Sequence, residues 1–579
     1  MRPLLFCGVM VFCVLLGLEL FPPDFLISLK ENETHSTSPS LDPTLPTATT
    51  DAQGHYQFLM LEPASHQVWL DLATLPAHLR QEVEGQSARL LLNPGDHQVS
   101  DLGPSDIRFD ATYSQDGTTL EGYVFQDSNR NSLFDPHETG LSGVTVIDPG
   151  LFIYYVLGPN INLLNAFEVI DKCATDPTNP ENDPDFGLDS TVSITANQND
   201  ALWYYDHWED GYDVDPTVPG PSTQSGVLNS GQSQVFETRN DLSVIPTAPT
   251  VNIPPSAFSY DGRDRITIIG QPVNLTRIAW PSDVNTVLAG AWESYEVNHW
   301  GRDFSIPAGE DLQQRGFGDD FESSHLFVMA QENDTQVTYD LDGDAGPIPP
   351  VTENLQQGQN LHLYNPTPRN TVGGIVTGAT VRASKRVQVH MLAGDCAGQP
   401  GQRRYTARGF HITPAARLEN SYLITTPYFS DGNCGIPSGN DHESRAYIYN
   451  PHAAPITIRW QTRKTNGAFT IPPGTNEIYA NLDPTSGVKL FTDDPADVFS
   501  VIVAVDTNSR DYDWGYTPVA LSERTSEVIL GWSPGTADIN PRDGIPDSPT
   551  GGGSQNGNLA FVVPVQDTTV YVDLDGDGQ

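Results

Sequence analysis

The chain has 579 residues and carries 74 Asp+Glu against 29 Lys+Arg, a formal net charge of -45. So anionic a surface repels a phosphate backbone and an anionic lipid face; this sets nucleic acid aside as a partner and leaves cations, calcium above all, as the natural counterions of clustered Asp. With 37% hydrophobic and 9% aromatic residues the composition builds cores rather than a disordered chain, and the length predicts roughly three to five domains.

Met1-Arg2 precedes a continuous apolar run from Pro3 to Leu18. A basic start followed by such a run predicts a signal peptide over residues 1–24, or an uncleaved signal anchor, and hence a secreted or cell-surface protein. Membrane contact is expected only through this segment, if it is retained. Residues 25–50, rich in Ser, Thr and Pro, are expected to form an extended linker. Beyond it, the 50 glycines and 47 prolines punctuate short apolar runs, the texture of strands joined by turns.

Residues 51–118 open on the turn Asp51-Ala52-Gln53-Gly54, and Tyr56, Phe58 and Met60 then alternate with other side chains as on a strand. His66–Leu70 and Arg89–Leu92 predict further strands. Helix signals are nearly absent, with one short turn expected at Ala77–Glu84.

Residues 119–149 hold the sharpest motif. Strand-like Leu120–Phe125 and Thr139–Val146 flank a loop in which Asp127, Asn129, Asn131, Asp135 and Glu138 occupy positions 1, 3, 5, 9 and 12. That is the spacing of an EF-hand calcium loop, where alternate side chains and the position-7 carbonyl, here that of Leu133, converge on a hard cation. Position 6 is Ser132 rather than Gly, and strands replace the helices. The same residues also suit a polar turn with Asx caps.

Gly122-x-Val124-Phe125-x-Asp127-x-Asn129-x-Asn131, continuing to Glu138-x-Gly140-Leu141-x-Gly143-Val144, resembles the opening of an SD-repeat protein B-type domain. Thr50-Asp51-x-x-Gly54-x-Tyr56-x-Phe58 through Leu75-Pro76 resembles the second half of such a domain. The resemblance implies a prealbumin-like β-sandwich of the kind found in stalks of bacterial surface proteins. Each segment looks partial, so either the halves complete one another or the correspondence is imperfect.

Residues 150–579 contain an internal repeat: Thr195–Gly211, Met329–Asp344 and Val563–Gly578 each read as strand, Asn/Asp turn, strand, acidic tip, which predicts repeated hairpins. Leu228–Gln232, Leu355–Gln359 and Ile471–Thr475 recur as Gly-turned companions. Gly378-Ala379-Thr380-Val381-x-Ala383-Ser384-Lys385-x-Val387-x-Val389, with Cys396 shortly after, resembles bacterial relatives of the IgGFc-binding protein N-terminal domain. This implies a β-rich extracellular adhesive or matrix role, without licensing immunoglobulin binding. The chain ends inside an acidic tip at Gln579, so a longer natural protein is expected.

Other candidate sites are weaker. Asp340/Asp342/Asp344 and Asp573/Asp575/Asp577 are D-x-D-G-D runs able to converge on calcium around a Gly turn, or to serve as solvated turns. Cys396 and Cys434 would pair in an oxidising compartment, leaving Cys173 over. Tyr204–Gly211 sets Asp206 and Glu209 beside aromatics and His207, the residue types of a glycosidase acid/base pair, or of a structural variant of the tip. No G-x-S-x-G, H-E-x-x-H, P-loop or dinucleotide fingerprint is present. Asn32, Asn274 and Asn333 begin N-x-S/T sequons.

The expectation is an all-β chain of tandem sandwiches, Ig-like or prealbumin-like. It would be exported and non-enzymatic, stiffened by calcium, and bind an extracellular protein or glycan or another copy of itself. The alternative is a carbohydrate-binding accessory region of a larger secreted hydrolase.

Overall fold

The computed structural model describes residues 47–59, 66–70, 74–76, 79, 89–92, 95–102, 107–115, 119–135, 137–147, 150–174, 188–208, 210–213, 218–239, 262–281, 290–315, 321–343, 347–366, 374–395, 406–425, 442–480, 487–507, 514–523, 528–529, 562–564 and 569–571. Within them the chain is β-sheet apart from one α-helix and short 3-10 turns, and all its sheets are antiparallel. No helix among the described residues is long and apolar enough to cross a membrane.

The first sandwich uses β1 (Thr47–Thr49), β2 (His55–Leu59), β3 (His66–Leu70), β4 (Arg89–Leu92), β5 (His97–Asp101), β6 (Ile107–Tyr113), β7 (Thr119–Gln126), β8 (Thr139–Gly140) and β9 (Thr145–Ile147). One layer runs β1-β9-β3-β4 and the other β2-β7-β6-β5, with β8 on β7. Because β2 pairs with β7, setting Tyr56 opposite Gly122, the stretches 51–118 and 119–149 share one core around Phe58, Phe109, Val124 and Val146. β1 falls inside the stretch expected to be linker and pairs with β9. The alternation that predicted β2 holds: Tyr56 and Phe58 are buried, Gln57 and Leu59 exposed.

Three further sandwiches share one plan. The second comprises β10 (Leu151–Tyr155), helix α1 (Asn160–Ala174), β11 (Leu188–Ala196), β12 (Ala201–Asp206), β13 (Thr223–Leu228), β14 (Ser233–Arg239), β15 (Arg265–Ile269), β16 (Val273–Pro281) and β17 (Gly290–Ser294). The third has β18 (Gly301–Ser305), β19 (Ser323–Ala330), β20 (Thr335–Asp340), β21 (Val351–Leu355), β22 (Asn360–Tyr364), β23 (Thr380–Asp395) and β24 (Thr406–His411). The fourth has β25 (Ser421–Ile424), β26 (His442–Tyr449), β27 (Ile456–Gln461), β28 (Asn466–Ile471), β29 (Asn476–Tyr479), β30 (Val488–Phe491), β31 (Ser500–Thr507) and β32 (Trp514–Tyr516). The second pairs layer β10-β15-β12-β13 with layer β14-β11-β16-β17, and the fourth pairs β25-β30-β27-β28 with β29-β26-β31-β32. In the third, the 16-residue β23 does the work of two strands. Its first half pairs with β18 and β20 and its second half with β19 and β24, which joins the layers into one seven-stranded sheet.

This plan corrects the expected hairpins. The strands flanking the Asn/Asp turns, β11 with β12 and β19 with β20, do not pair with each other. The chain instead arches from one layer to the other, through Asp200 at φ 62 and Asp334 at φ 55. The reason is competition for backbone groups. The terminal residue of the first strand bonds not to its sequence neighbour but to the second, Gly-turned arch. Ala196 N–H donates to Gln232 O and Gly231 N–H to Ala196 O; Ala330 N–H donates to Gln359 O and Gly358 N–H to Ala330 O; Asn450 N–H donates to Thr475 O and Gly474 N–H to Asn450 O. The three glycines have φ of 75, 69 and 64, a left-handed conformation that only Gly adopts without strain. The fourth sandwich repeats the same plan, with a first arch, Asn450–Pro455, that lacks the Asn-Asp-Thr signature. The copy read at 563–578 lies largely outside the described residues, and its described parts form no strand.

Helix α1 is the second correction. Leu163, Ala166, Phe167 and Ile170 are fully buried on one face, against Phe327 and Met329 of β19, Leu392 of β23, and Trp300. β19 is consequently buried at all eight positions, covered by the sandwich core on one side and by the helix on the other. The expected turn at Ala77–Glu84 lies outside the described residues except Leu79.

Sandwiches interlock through the same second arch. Gln357 donates to Tyr155 Oη at 2.7 Å, Tyr212 Oη approaches Gln357 O at 3.4 Å, and Asn476 donates to Pro307 O at 2.7 Å. A Cβ on Gly358 would overlap the Tyr212 hydroxyl, whereas one on Gly231 meets open space. Gly231→Ala is therefore expected to cost about 1–2 kcal/mol, the backbone strain alone. Gly358→Ala is expected to cost more, because the Tyr212 contact must also shift. The urea midpoints of the two variants compare these costs.

Candidate metal centre at Asp127–Glu138

The loop leaves β7 at Asp127 and returns at β8. It is anchored from within by Phe134, whose ring stacks on Tyr123 (centroids 4.4 Å apart) and meets Phe125 edge-on at 5.4 Å. Past the return, Thr50 ties the chain down: its hydroxyl donates to Leu141 O at 2.6 Å and accepts from Val144 N at 2.9 Å. Both ends of the loop are thus fixed to the core of the first sandwich.

Inside it, the residues expected to bind calcium converge. Asp127 is fully buried, accepting from Asn131 N at 3.1 Å on Oδ1 and from Ser132 N at 2.8 Å on Oδ2. Asn129 Nδ2 and Asn131 Nδ2 both donate to Asp135 Oδ2, at 2.7 and 2.9 Å. Glu138 closes the ring, accepting from Asp135 N at 3.0 Å and Asn129 N at 3.5 Å. Arg130 and Ser132 have φ of 59 and 60. Ser132 holds the position where a calcium loop places Gly for its sharp turn, and it adopts the left-handed backbone that such a turn demands. Asn131 Oδ1 caps Leu133 N at 2.8 Å, which leaves the Leu133 side chain 56% exposed.

One partner was not legible in the loop itself. Arg108 of β6, nearly buried, sets its Nε 3.2 Å from Asp127 Oδ2. Burial alone would push the Asp127 carboxyl up, but the N–H groups of Ser132 and Asn131, the Arg108 charge and the Arg130 N–H outweigh it and hold the group below the usual carboxylate range. Backbone N–H groups occupy much of the acceptor capacity of Asp127, so what remains of it is what a cation would use. Among the described residues no three His, Cys, Asp or Glu side chains are gathered tightly enough to hold a metal unaided. The loop's donor set instead mixes Asp127, Asp135 and Glu138 with two amides and a carbonyl, all hard oxygens suited to calcium.

The other candidates are less assembled. Asp340 is buried at the end of β20, and Asp342 Oδ2 accepts from Ile348 N at 2.9 Å, capping its own turn beside Gly343 at φ 76. Asp344, Asp573, Asp575, Asp577, Cys396, Cys434 and Glu209 lie outside the described residues. Asp206 is committed to structure: it accepts from Arg265 at 2.8 Å, from Trp208 N at 3.0 Å and from Asp213 N at 2.9 Å. Its neighbour His207 is 4% exposed, and burial pushes the imidazole down to about 4. Arg263 covers the Trp208 ring at 4.0 Å. The octet is a braced tip, held by Arg263 and by Arg265 at the start of β15, which are distant in sequence.

Two proteins named serine-aspartate repeat-containing protein F, both from Staphylococcus epidermidis, are similar to the chain. Each is 31% identical over 108 residues, covering 17% of this chain and 6% of the relative. The chain therefore matches only a small fraction of their length. No family model matches the chain.

Because the folded-state pKa of Asp127 is depressed, its contribution is fully present above the unfolded value near 3.9 and is lost as pH falls through the folded value. Asp127→Asn leaves Arg108 buried beside a neutral amide. It is expected to destabilise the first sandwich by about 3–5 kcal/mol at pH 7. The gap from wild type should narrow as pH drops below about 4, as read by urea unfolding at a series of pH values.

Proposed function

We propose that this chain is part of an exported protein that works outside the cell as an adhesive or structural stalk, without catalytic activity, and that calcium stiffens its first sandwich at Asp127–Glu138. The observation that carries the reading is the loop's backbone: Ser132 at φ 60 and the buried Asp127 reproduce a calcium-loop turn between strands. Four tandem sandwiches, of which the third and fourth each interlock with the unit before, suit an extended load-bearing chain. The similarity to serine-aspartate repeat-containing proteins over 108 residues points the same way. The consumption of Asp206 by Arg265 and by backbone N–H groups argues against an acid/base pair in the Tyr204–Gly211 octet.

Calcium would replace the internal hydrogen bonds of Asn129, Asn131, Asp135 and Glu138 with bonds to one ion, fixing a loop that has few apolar contacts besides Phe134. In calcium-poor surroundings the loop would loosen while the sandwich core persists. The partner on this reading is an extracellular protein or glycan, or another copy of the chain.

Calorimetric titration of the EDTA-treated chain with calcium chloride tests the proposal. The expected result is saturable binding, weakened at least tenfold in Glu138→Gln and in Asp135→Asn. Saturation at a hundred times Kd should add about 2.7 kcal/mol of stability and raise the melting temperature beyond the effect of sodium chloride at equal ionic strength. Heat and melting curves that calcium does not change beyond that salt control would remove calcium from the proposal.

A further inference from the structure

The face that the third sandwich turns toward the second carries a row of histidines. The registers place His362 of β22 opposite Phe327 of β19, Phe327 opposite His390 of β23, and His390 opposite His411 of β24. His325 stands two residues before Phe327, on the same face of β19, and its Nδ1 lies 3.0 Å from His362 Nε2. The His390 and His411 rings lie 5.0 Å apart. Four imidazoles thus form two pairs across four adjacent strands.

The second sandwich covers this row. Trp292 of β17 lies over Phe327 and beside His390, and the Tyr295 ring meets His411 at 4.3 Å. Gln388 bridges the joint: its Oε1 is 3.3 Å from His390 Nε2, and its Nε2 donates to Tyr155 O at 3.5 Å. The surfaces touch closely, for a Cβ on Gly394 would overlap Ile170 of α1 and one on Gly409 would overlap Ala291 O. His325 and His390 are fully buried. His390 Nδ1 and His411 Nδ1 are shielded from water and make no hydrogen bond with any described group. A neutral imidazole tolerates this, because one of its nitrogens is only an acceptor. An imidazolium would bury an unpaired N–H donor and an unpaired charge.

We propose that this row is an acid-operated latch: at neutral pH it holds α1 and β17 against the third sandwich, and in mildly acidic surroundings its charging releases them, so that the joint becomes a hinge. Burial pushes the His362 and His411 imidazoles down to about 3 and holds those of His325 and His390 well below the usual value. The paired imidazole adds to this at His325 and His390, and His299 does so at His411. Such groups take up protons more readily once released. The closed joint is therefore fully favoured above the free value near 6.5 and loses favour as pH falls below it. Each released histidine shifts the balance toward the open form by about 25-fold between pH 7 and pH 5. The charged groups around the row do little to oppose this. Arg277, bonded to Asn160 at the start of α1, and Arg386, bonded to Asn298, are cations. Among the described residues the carboxylates are Glu168 of α1, which lines an open cavity between the helix and β22, Glu296, which caps the 3-10 turn Val297–His299, and Glu293 and Glu523 near Tyr295. Burial pushes Glu293 up to about 7. It gains a proton over the same range and offsets about one of the four histidines. The latch is independent of the calcium loop, which belongs to the first sandwich, so either can fail alone.

Hydrogen exchange of the full chain in EDTA, at pH 7.4 and pH 5.0 and equal ionic strength, tests the latch. After correction for the intrinsic pH dependence of exchange, the protection of α1 should fall at least tenfold at pH 5.0 and recover on return to pH 7.4. That of β26 and β31 in the fourth sandwich should change less than twofold. His362→Phe and His411→Phe, at the partly exposed ends of the row, should each reduce the fall at least fivefold. If one of them does not fold, the other decides, and the wild-type comparison decides if neither does. The proposal is overturned if α1 of the wild type keeps its protection at pH 5.0, if β26 and β31 loosen with it, or if a folded variant responds as the wild type does.

Discussion

The arrangement of the last three sandwiches depends on one pair of backbone hydrogen bonds, made three times over. In each, the residue ending one strand exchanges N–H and C=O bonds with the Gly-turned arch that follows two strands later. A strand whose terminal groups are already taken cannot fold back on its successor, so the chain crosses to the other layer. The two strands between those bonds are thereby committed to a sandwich rather than to a meander. The positive φ of Gly231, Gly358 and Gly474 is what lets the arch present its N–H to the strand end. In the third sandwich the same arch also abuts the second, so the element that closes one unit sets its junction with the one before.

The first sandwich is built differently and has its own constraint. Asp127 is a fully buried carboxylate, and backbone N–H groups and the Arg108 guanidinium together stabilise its charge. Those same N–H bonds impose the left-handed turns at Arg130 and Ser132. The loop's backbone conformation and the electrostatics of the sandwich edge are thus one arrangement. The Phe134 stack and the Thr50 bonds keep the loop in register with the core.

Parts of this were legible residue by residue. The alternation of Tyr56 and Phe58 marked a strand because its period is set by the chain's own pleat. The Asp127–Glu138 spacing marked a convergent turn because a twelve-residue loop is a local object. Helix α1 was also local, with Leu163, Ala166, Phe167 and Ile170 on one face just after Pro159, yet a sequence so dense in turn residues obscured it. The hairpin reading of the Asn/Asp turns failed for another reason. Such turns suit both a hairpin and an arch, and the choice rests on where Ala196 and Ala330 find their partners, some 30 residues away. The fourth sandwich was legible only through its second arch, Ile471–Thr475, because Asn450–Pro455 makes the first arch from different residues.

By itself, then, the sequence determined the all-β class, the repeating character of the long C-terminal region, the anionic composition and the place of the oxygen-rich loop, since each follows from composition or from spacing within a dozen residues. Only the tertiary structure decided that residues 51–118 and 119–149 make a single sandwich, and that arches replace hairpins. It alone placed Arg108 on Asp127 and Arg265 on Asp206, and α1 beside β22 around a cavity. These all turn on which distant backbone and side-chain groups satisfy one another, and a buried polar group accepts whichever partner the completed core brings within about 3 Å. Nothing in the local sequence specifies that partner.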